Sequence, residues 1–156
     1  MRLLFLLLFI ASAHAFETNS DEMSFDLNNN TCILNGNAEV KFGSNGENVF
    51  KADSITIEYI TKDLKKPKKI NARGNIHFYN KDISIKSNYC KFDMTYIEFY
   101  DKVIIKNSEF GEIIADQAKY NTKTKKIIIT SKNKVKLKIS DKKSKELEKI
   151  GKKAFK

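Results

Sequence analysis

Few side chains in this sequence are equipped for chemistry. Beyond the first fifteen residues there is a single histidine, His77, set between Ile76 and Phe78. A working imidazole needs an orienting partner and a nucleophile or substrate within reach. Nothing near His77 in sequence supplies them, and a histidine between two inward strand residues faces outward. Asp21, Asp53 and Asp116 recur at one place in a repeating pattern, after Ser20, Ala52 and Ala115. Three carboxylates can suggest a metal, but no ligand cluster of metal-site spacing accompanies them. Each opens a strand after a small residue, where a short carboxylate serves as a hydrogen-bonding turn residue. Cys32 and Cys90 both fall on the apolar phase of strand patterns. They read as two buried thiols packing as small hydrophobes, although an oxidising compartment would permit a disulfide. The expectation is a protein that is not an enzyme and needs no metal or cofactor.

The compartment is suggested by the first residues. Arg2 precedes an apolar stretch from Leu3 to about Ala13, and Ala13-His14-Ala15 forms an A-x-A cleavage site. The run is too short for a membrane span, which takes ~20 residues. The expectation is export with cleavage after Ala15 (an uncleaved short anchor is the alternative) and a mature domain over 16–139. The remainder, 140–156, is a basic tail whose Leu147, Ile150 and Phe155 are loosely spaced for a helix; a solvated tail is expected. The net charge of +10 suits an anionic surface or lipid. Nucleic acid is not expected as a partner outside the cytoplasm. Richness in Lys, Asn and Ile together is also what an AT-rich coding bias produces.

Period-2 alternation of apolar and polar residues runs from about residue 20 to 139 and predicts strands throughout. Pro67 lies in the polar stretch Thr61 to Lys69, read as a loop. Aligned against itself, the chain contains four copies of one pattern, starting at Ser20, Ala52, Ser87 and Ala115. Each copy reads as a small residue, Asp or Asn, an alternating strand, a polar turn, a second strand, a turn residue, and a third strand. The last turn residues are Gly36-Asn37, Gly74-Asn75, Asp101-Lys102 and Asn133-Lys134. One unit cannot bury its apolar face alone, so units must stack. A two-sheet sandwich with Greek-key connections would show the same alternation; the repeat favours an elongated stack.

Asn35-Gly36-Asn37-Ala38-Glu39-Val40, Ala52-Asp53-Ser54-Ile55-Thr56-Ile57-Glu58-Tyr59, Ala72-Arg73-Gly74-Asn75-Ile76-His77-Phe78 and Ala115-Asp116-Gln117-Ala118-Lys119-Tyr120 resemble the OstA-like family. More closely, they resemble its periplasmic lipopolysaccharide-transport branch, over about residues 17–139. The third copy departs, with Ser87-Asn88 for Ala-Asp and no Gly-Asn pair. The resemblance implies an all-β fold, an elongated, twisted, half-open β-jelly roll of stacked antiparallel strands. It implies a periplasmic carrier or bridge that takes lipopolysaccharide between membranes, with the lipid A acyl chains in an apolar groove. Its partners would be same-fold inner-membrane and outer-membrane components and further copies of itself, head to tail. An inner-membrane-anchored relative of the same fold, or a protein-only adaptor working through strand edges, are the alternatives. On this reading the inward residues line the groove: Met23, Phe25, Leu34, Val40, Phe42, Ile55, Ile57, Ile76, Phe78, Phe92, Phe99, Val103, Ile105, Tyr120, Ile129, Val135 and Leu137. Asp21 and Leu27 mark one assembly edge, Lys134 and Ile139 the other.

Overall fold

The computed structural model describes residues 16–60 and 67–139; the leader with its cleavage site and the tail from Ser140 lie outside the described residues. Ten strands form one antiparallel sheet: β1 (Glu17–Asn19), β2 (Glu22–Asp26), β3 (Thr31–Phe42), β4 (Asn48–Tyr59), β5 (Pro67–Tyr79), β6 (Ser84–Phe92), β7 (Tyr96–Asn107), β8 (Gly111–Asn121), β9 (Ile127–Thr130) and β10 (Lys136–Lys138). From β3 to β8 every strand pairs with its neighbour in sequence. β2 and β1 pair with the two halves of β3, and β9 and β10 with the two halves of β8. The first and last strands do not pair, so the sheet stays open. This is the expected stacked jelly roll rather than a Greek-key sandwich.

The repeat has a different physical meaning from the one its sequence suggests. Gly36-Asn37, Gly74-Asn75 and Asp101-Lys102 do not join separate strands. They are bulges in the middle of β3, β5 and β7, where the register with both neighbours shifts. Both residues of each pair have positive φ: 72° and 46°, 76° and 47°, 63° and 53°. An extra residue in that conformation bends a strand sharply. Every long strand is thereby folded into two halves, and the halves form two facing walls. Wall I contains β2, β9 and the halves such as Thr31–Asn35 and Ile97–Tyr100; wall II contains β1, β10 and the halves such as Ala38–Phe42 and Val103–Asn107. Pro67 opens β5 opposite Tyr59 instead of sitting in a loop, a position that proline tolerates because no ladder bond is lost inside the strand.

The true hairpin turns carry another signature. At five of them Asp26, Asn80, Asp93, Asn107 or Asn121 ends or directly follows a strand and accepts two backbone N–H bonds from residues two and three positions ahead, at 2.6–3.2 Å. These Asx turns satisfy the backbone where the chain reverses.

Candidate functional site

The corners of the folded strands set the geometry of everything between the walls. Asn37 Nδ2 donates to Asp21 Oδ2 at 2.8 Å, and Asn75 Nδ2 to Asp53 Oδ2 at 2.9 Å. At the fourth corner Asp116 accepts from Ser131 Oγ at 2.9 Å and from the Lys132 backbone N–H at 2.7 Å. The recurring aspartates are thus hydrogen-bonding residues of the corner. The glycines follow from this: a Cβ on Gly36 or Gly74 would run into the carboxylate of Asp21 or Asp53. The departing third copy reaches the same result with the roles exchanged. Asp101 stands in the glycine position and brings its own carboxylate, and Asn88 donates to it at 2.8 Å.

Between the walls lies a packed apolar wedge. Leu34, Val40, Ile55, Ile57, Ile76, Phe78, Phe92, Phe99, Val103, Ile105 and Tyr120 are at most 3% exposed. The walls meet through aromatic rings. Phe78 of wall II lies 6.0 Å from Phe99 and 5.5 Å from Tyr120 of wall I, and Phe42 lies 4.9 Å from Phe92. These predicted groove residues do face one another, but they fill the space rather than line an open channel. Phe42 and Ile129 are half-buried against the same cluster. Cys32 and Cys90 are free and buried on wall I. Two strands separate them, at ~4.8 Å per step, which is beyond disulfide reach. Burial pushes both thiols up, Cys90 the more strongly.

The remaining predicted groove residues sit at the two ends of the wedge. Met23 and Phe25 pair with inward Leu34 and Cys32, yet they are 40% and 50% exposed because no strand lies beyond β2. Val135 and Leu137 are 44% and 54% exposed at the other end. The residues predicted to mark the assembly edges flank the edge strands β2 and β10. Asp21 lies at the break between β1 and β2, tied into a corner bond, and Leu27 follows β2. Lys134 lies between β9 and β10, and Ile139 follows β10. The open hydrogen-bonding edges belong to β1–β2 and β9–β10, each broken at the corner.

The long mouth opposite the corners is crossed by few polar links. Lys125 Nζ meets Asp82 Oδ2 at 3.2 Å, both partners about half exposed. Asn80 Nδ2 reaches the Tyr120 hydroxyl of wall I at 3.4 Å and, within wall II, Asn48 Oδ1 at 3.1 Å. An exposed ion pair of this kind contributes ~0.2–1 kcal/mol, so the polar links add little to the ring contacts that join the walls. His77 lies on the outer face, its Nε2 2.9 Å from Ser84 Oγ. Burial, then the Lys86 and Lys51 charges, lowers its pKa. Sequence reasoning missed the aromatic contacts across the mouth, since alternation reports which face a residue takes and not what faces it.

No protein-family model and no curated protein matches the sequence. Among solved structures, the fold is similar to the crystal structure of LptH, the LptA homologous periplasmic component of the conserved lipopolysaccharide transport device from Pseudomonas aeruginosa. The TM-score is 0.69 at 9% identity, over 81% of this chain and 96% of that one. A likeness at that identity is one of fold, and on it the chain has the LptA-like architecture: a twisted antiparallel β-jelly roll, folded along its corners and open at both ends.

Proposed function

We propose that this chain is an exported, periplasmic and non-catalytic lipid carrier. It would hold the acyl chains of lipopolysaccharide, or of another acyl lipid, between its two walls and pass them along a head-to-tail stack of same-fold domains. The observation that carries the reading is an apolar wedge open at both ends onto unpaired strand edges. Each methylene moved from water into such an interior contributes ~0.8 kcal/mol. Entry requires the walls to part, which breaks the ring contacts between them as well as the polar links across the mouth. The fold shared with a periplasmic component of a lipopolysaccharide transport device supports the same reading.

A photo-crosslinker at Phe25, Ile57 or Phe92 should yield lipid adducts, and one at outward Lys91 should not. Phe25 is exposed enough to carry the probe without disturbing the core. Adducts from Lys91 alone, with lipid-free purified protein by mass spectrometry, would favour the protein-only adaptor. Amino-terminal sequencing separates a cleaved carrier from an anchored relative.

Charge supports the stack. Residues 16–30 carry Glu17, Asp21, Glu22 and Asp26 and no base, whereas 122–139 carry Lys123, Lys125, Lys126, Lys132, Lys134, Lys136 and Lys138 and no acid. Unlike ends attract and like ends repel, which sets the direction of strand addition. Self-association measured by light scattering should weaken steeply as salt shortens the screening length from ~10 Å at 0.1 M to ~3 Å at 1 M. Phe25→Asp should abolish it at every salt concentration. Association indifferent to both changes would exclude these edges.

A further inference from the structure

The outer faces of the two walls differ in charge. Both faces carry ion pairs, Glu98 with Lys119 at 3.0 Å on wall I and Glu39 with Lys51 at 3.2 Å on wall II, and Glu58 is the register partner of Lys69 on wall I, but on wall II lysines outnumber acids. On wall II one row runs Lys86, Ile104, Ile114, Lys136 across four neighbouring strands. Lys102 and Lys106 flank Ile104 along β7. Among the described residues, Lys86, Lys102 and Lys136 form no ion pair, while Lys106 shares Glu112 with Lys138 at 3.4 Å each. The carboxylates at the border, Asp101 and Asp116, are held in corner bonds. Two shallow hollows of about 510 and 800 Å³ adjoin this row and share Lys102 and Ile104. The depressed pKa of His77, partly a response to Lys86 and Lys51, is consistent with a positive field there.

We propose that the outer face of wall II docks on the surface of an anionic phospholipid bilayer. Ile104 and Ile114 form a half-buried apolar centre, and the lysines around them meet lipid phosphates. The arrangement is the sheet counterpart of an interfacial amphipathic helix, an apolar strip framed by cations. Each lysine near an anionic membrane adds to the attraction. The row extends over three strand spacings of ~4.8 Å, so it presents a broad face. Two isoleucines at its centre suit an interface with acyl chains beneath better than a wholly polar acidic protein. The docking face is separate from the wedge and does not depend on lipid being held between the walls.

The test is co-sedimentation of the mature chain with phosphatidylcholine vesicles, with and without phosphatidylglycerol. Binding is expected only to the anionic vesicles. Lys86→Glu with Lys102→Glu should lower the bound fraction at least tenfold, with the melting temperature as a check on folding. The charge-matched pair Lys69→Glu with Lys91→Glu on wall I should lower it much less. Ile104→Ser should weaken the binding that survives in high salt. Equal binding to neutral vesicles overturns the proposal. So does equal loss in both charge-matched pairs, which would report net charge alone. Full displacement by millimolar inorganic phosphate also overturns it, in favour of a discrete phosphate pocket.

Discussion

Phe78→Ala is expected to cost about 3–5 kcal/mol of folding stability, as truncation of a fully buried phenylalanine does when the cavity cannot collapse. Phe78 is 0% exposed and its ring contacts aromatic rings from both walls, Phe42 on its own and Phe99 and Tyr120 on the other. Its loss removes burial and also a set of offset ring contacts worth ~0.5–1.5 kcal/mol per pair. Neither wall can move in to fill the gap without disturbing corners fixed by hydrogen bonds. Domains of this size have a total stability of ~5–15 kcal/mol, so the variant should melt far earlier in a urea titration or calorimeter. Phe25→Ala is the informative contrast. At 50% exposure the same truncation should change monomer stability by less than about 1.5 kcal/mol, while weakening self-association. A Phe78→Ala protein as stable as the parent would mean that the wedge is not the packed core described above.

The second large effect is expected at a corner. Gly74→Ala should cost about 3 kcal/mol, from two sources. A φ of +76° strains any residue with a Cβ by ~1–2 kcal/mol. The new Cβ also displaces the Asp53 carboxylate and with it the bond from Asn75, and a hydrogen bond to a charged group contributes ~1.5–3 kcal/mol. Gly46→Ala separates the two sources. Its φ is +63°, but the nearest atom a Cβ would meet, Lys41 Cβ, is 3.9 Å away. That variant should therefore show the strain alone. Denaturant unfolding of both measures the difference; equal losses would mean that the Asp53–Asn75 bond adds nothing at the corner.

The corners also explain how far the fold could be read in advance. On β4 the inward residues run Phe50, Ala52, then Ile55, Ile57, so the alternation slips by one at Asp53. It slips in the same way after Ser87 on β6 and after Ala115 on β8. A break in phase looks like the end of one strand and the start of another, and the pattern was divided there. In space it is the opposite half of a bulge pair: the neighbouring strand carries the extra residue, and the chain bends without ending. Gly36-Asn37 and Gly74-Asn75 have the composition of a hairpin turn, and nothing local distinguishes a bulge from a turn. That distinction is made by the strand on either side. Five of the actual turns were marked by one Asp or Asn at or just after the strand end, a weaker signal in a chain rich in Asn.

What the sequence by itself determined is the phase: which residues face inward, which outward, and that four units repeat. Period-2 alternation is a local property of the pleated backbone, so Leu34, Ile57, Phe99 and their kind could be assigned without neighbours, and both cysteines with them. Only the tertiary structure decided that each strand is folded across a corner, because the bulge exists only in register with a partner. It alone decided that the wedge is filled by its own side chains, since ring contacts such as Phe42 with Phe92 join residues far apart in the chain. It alone gathered Lys86, Lys102 and Lys136 onto one face, because residues far apart in a sequence share a surface only when the strands are laid side by side.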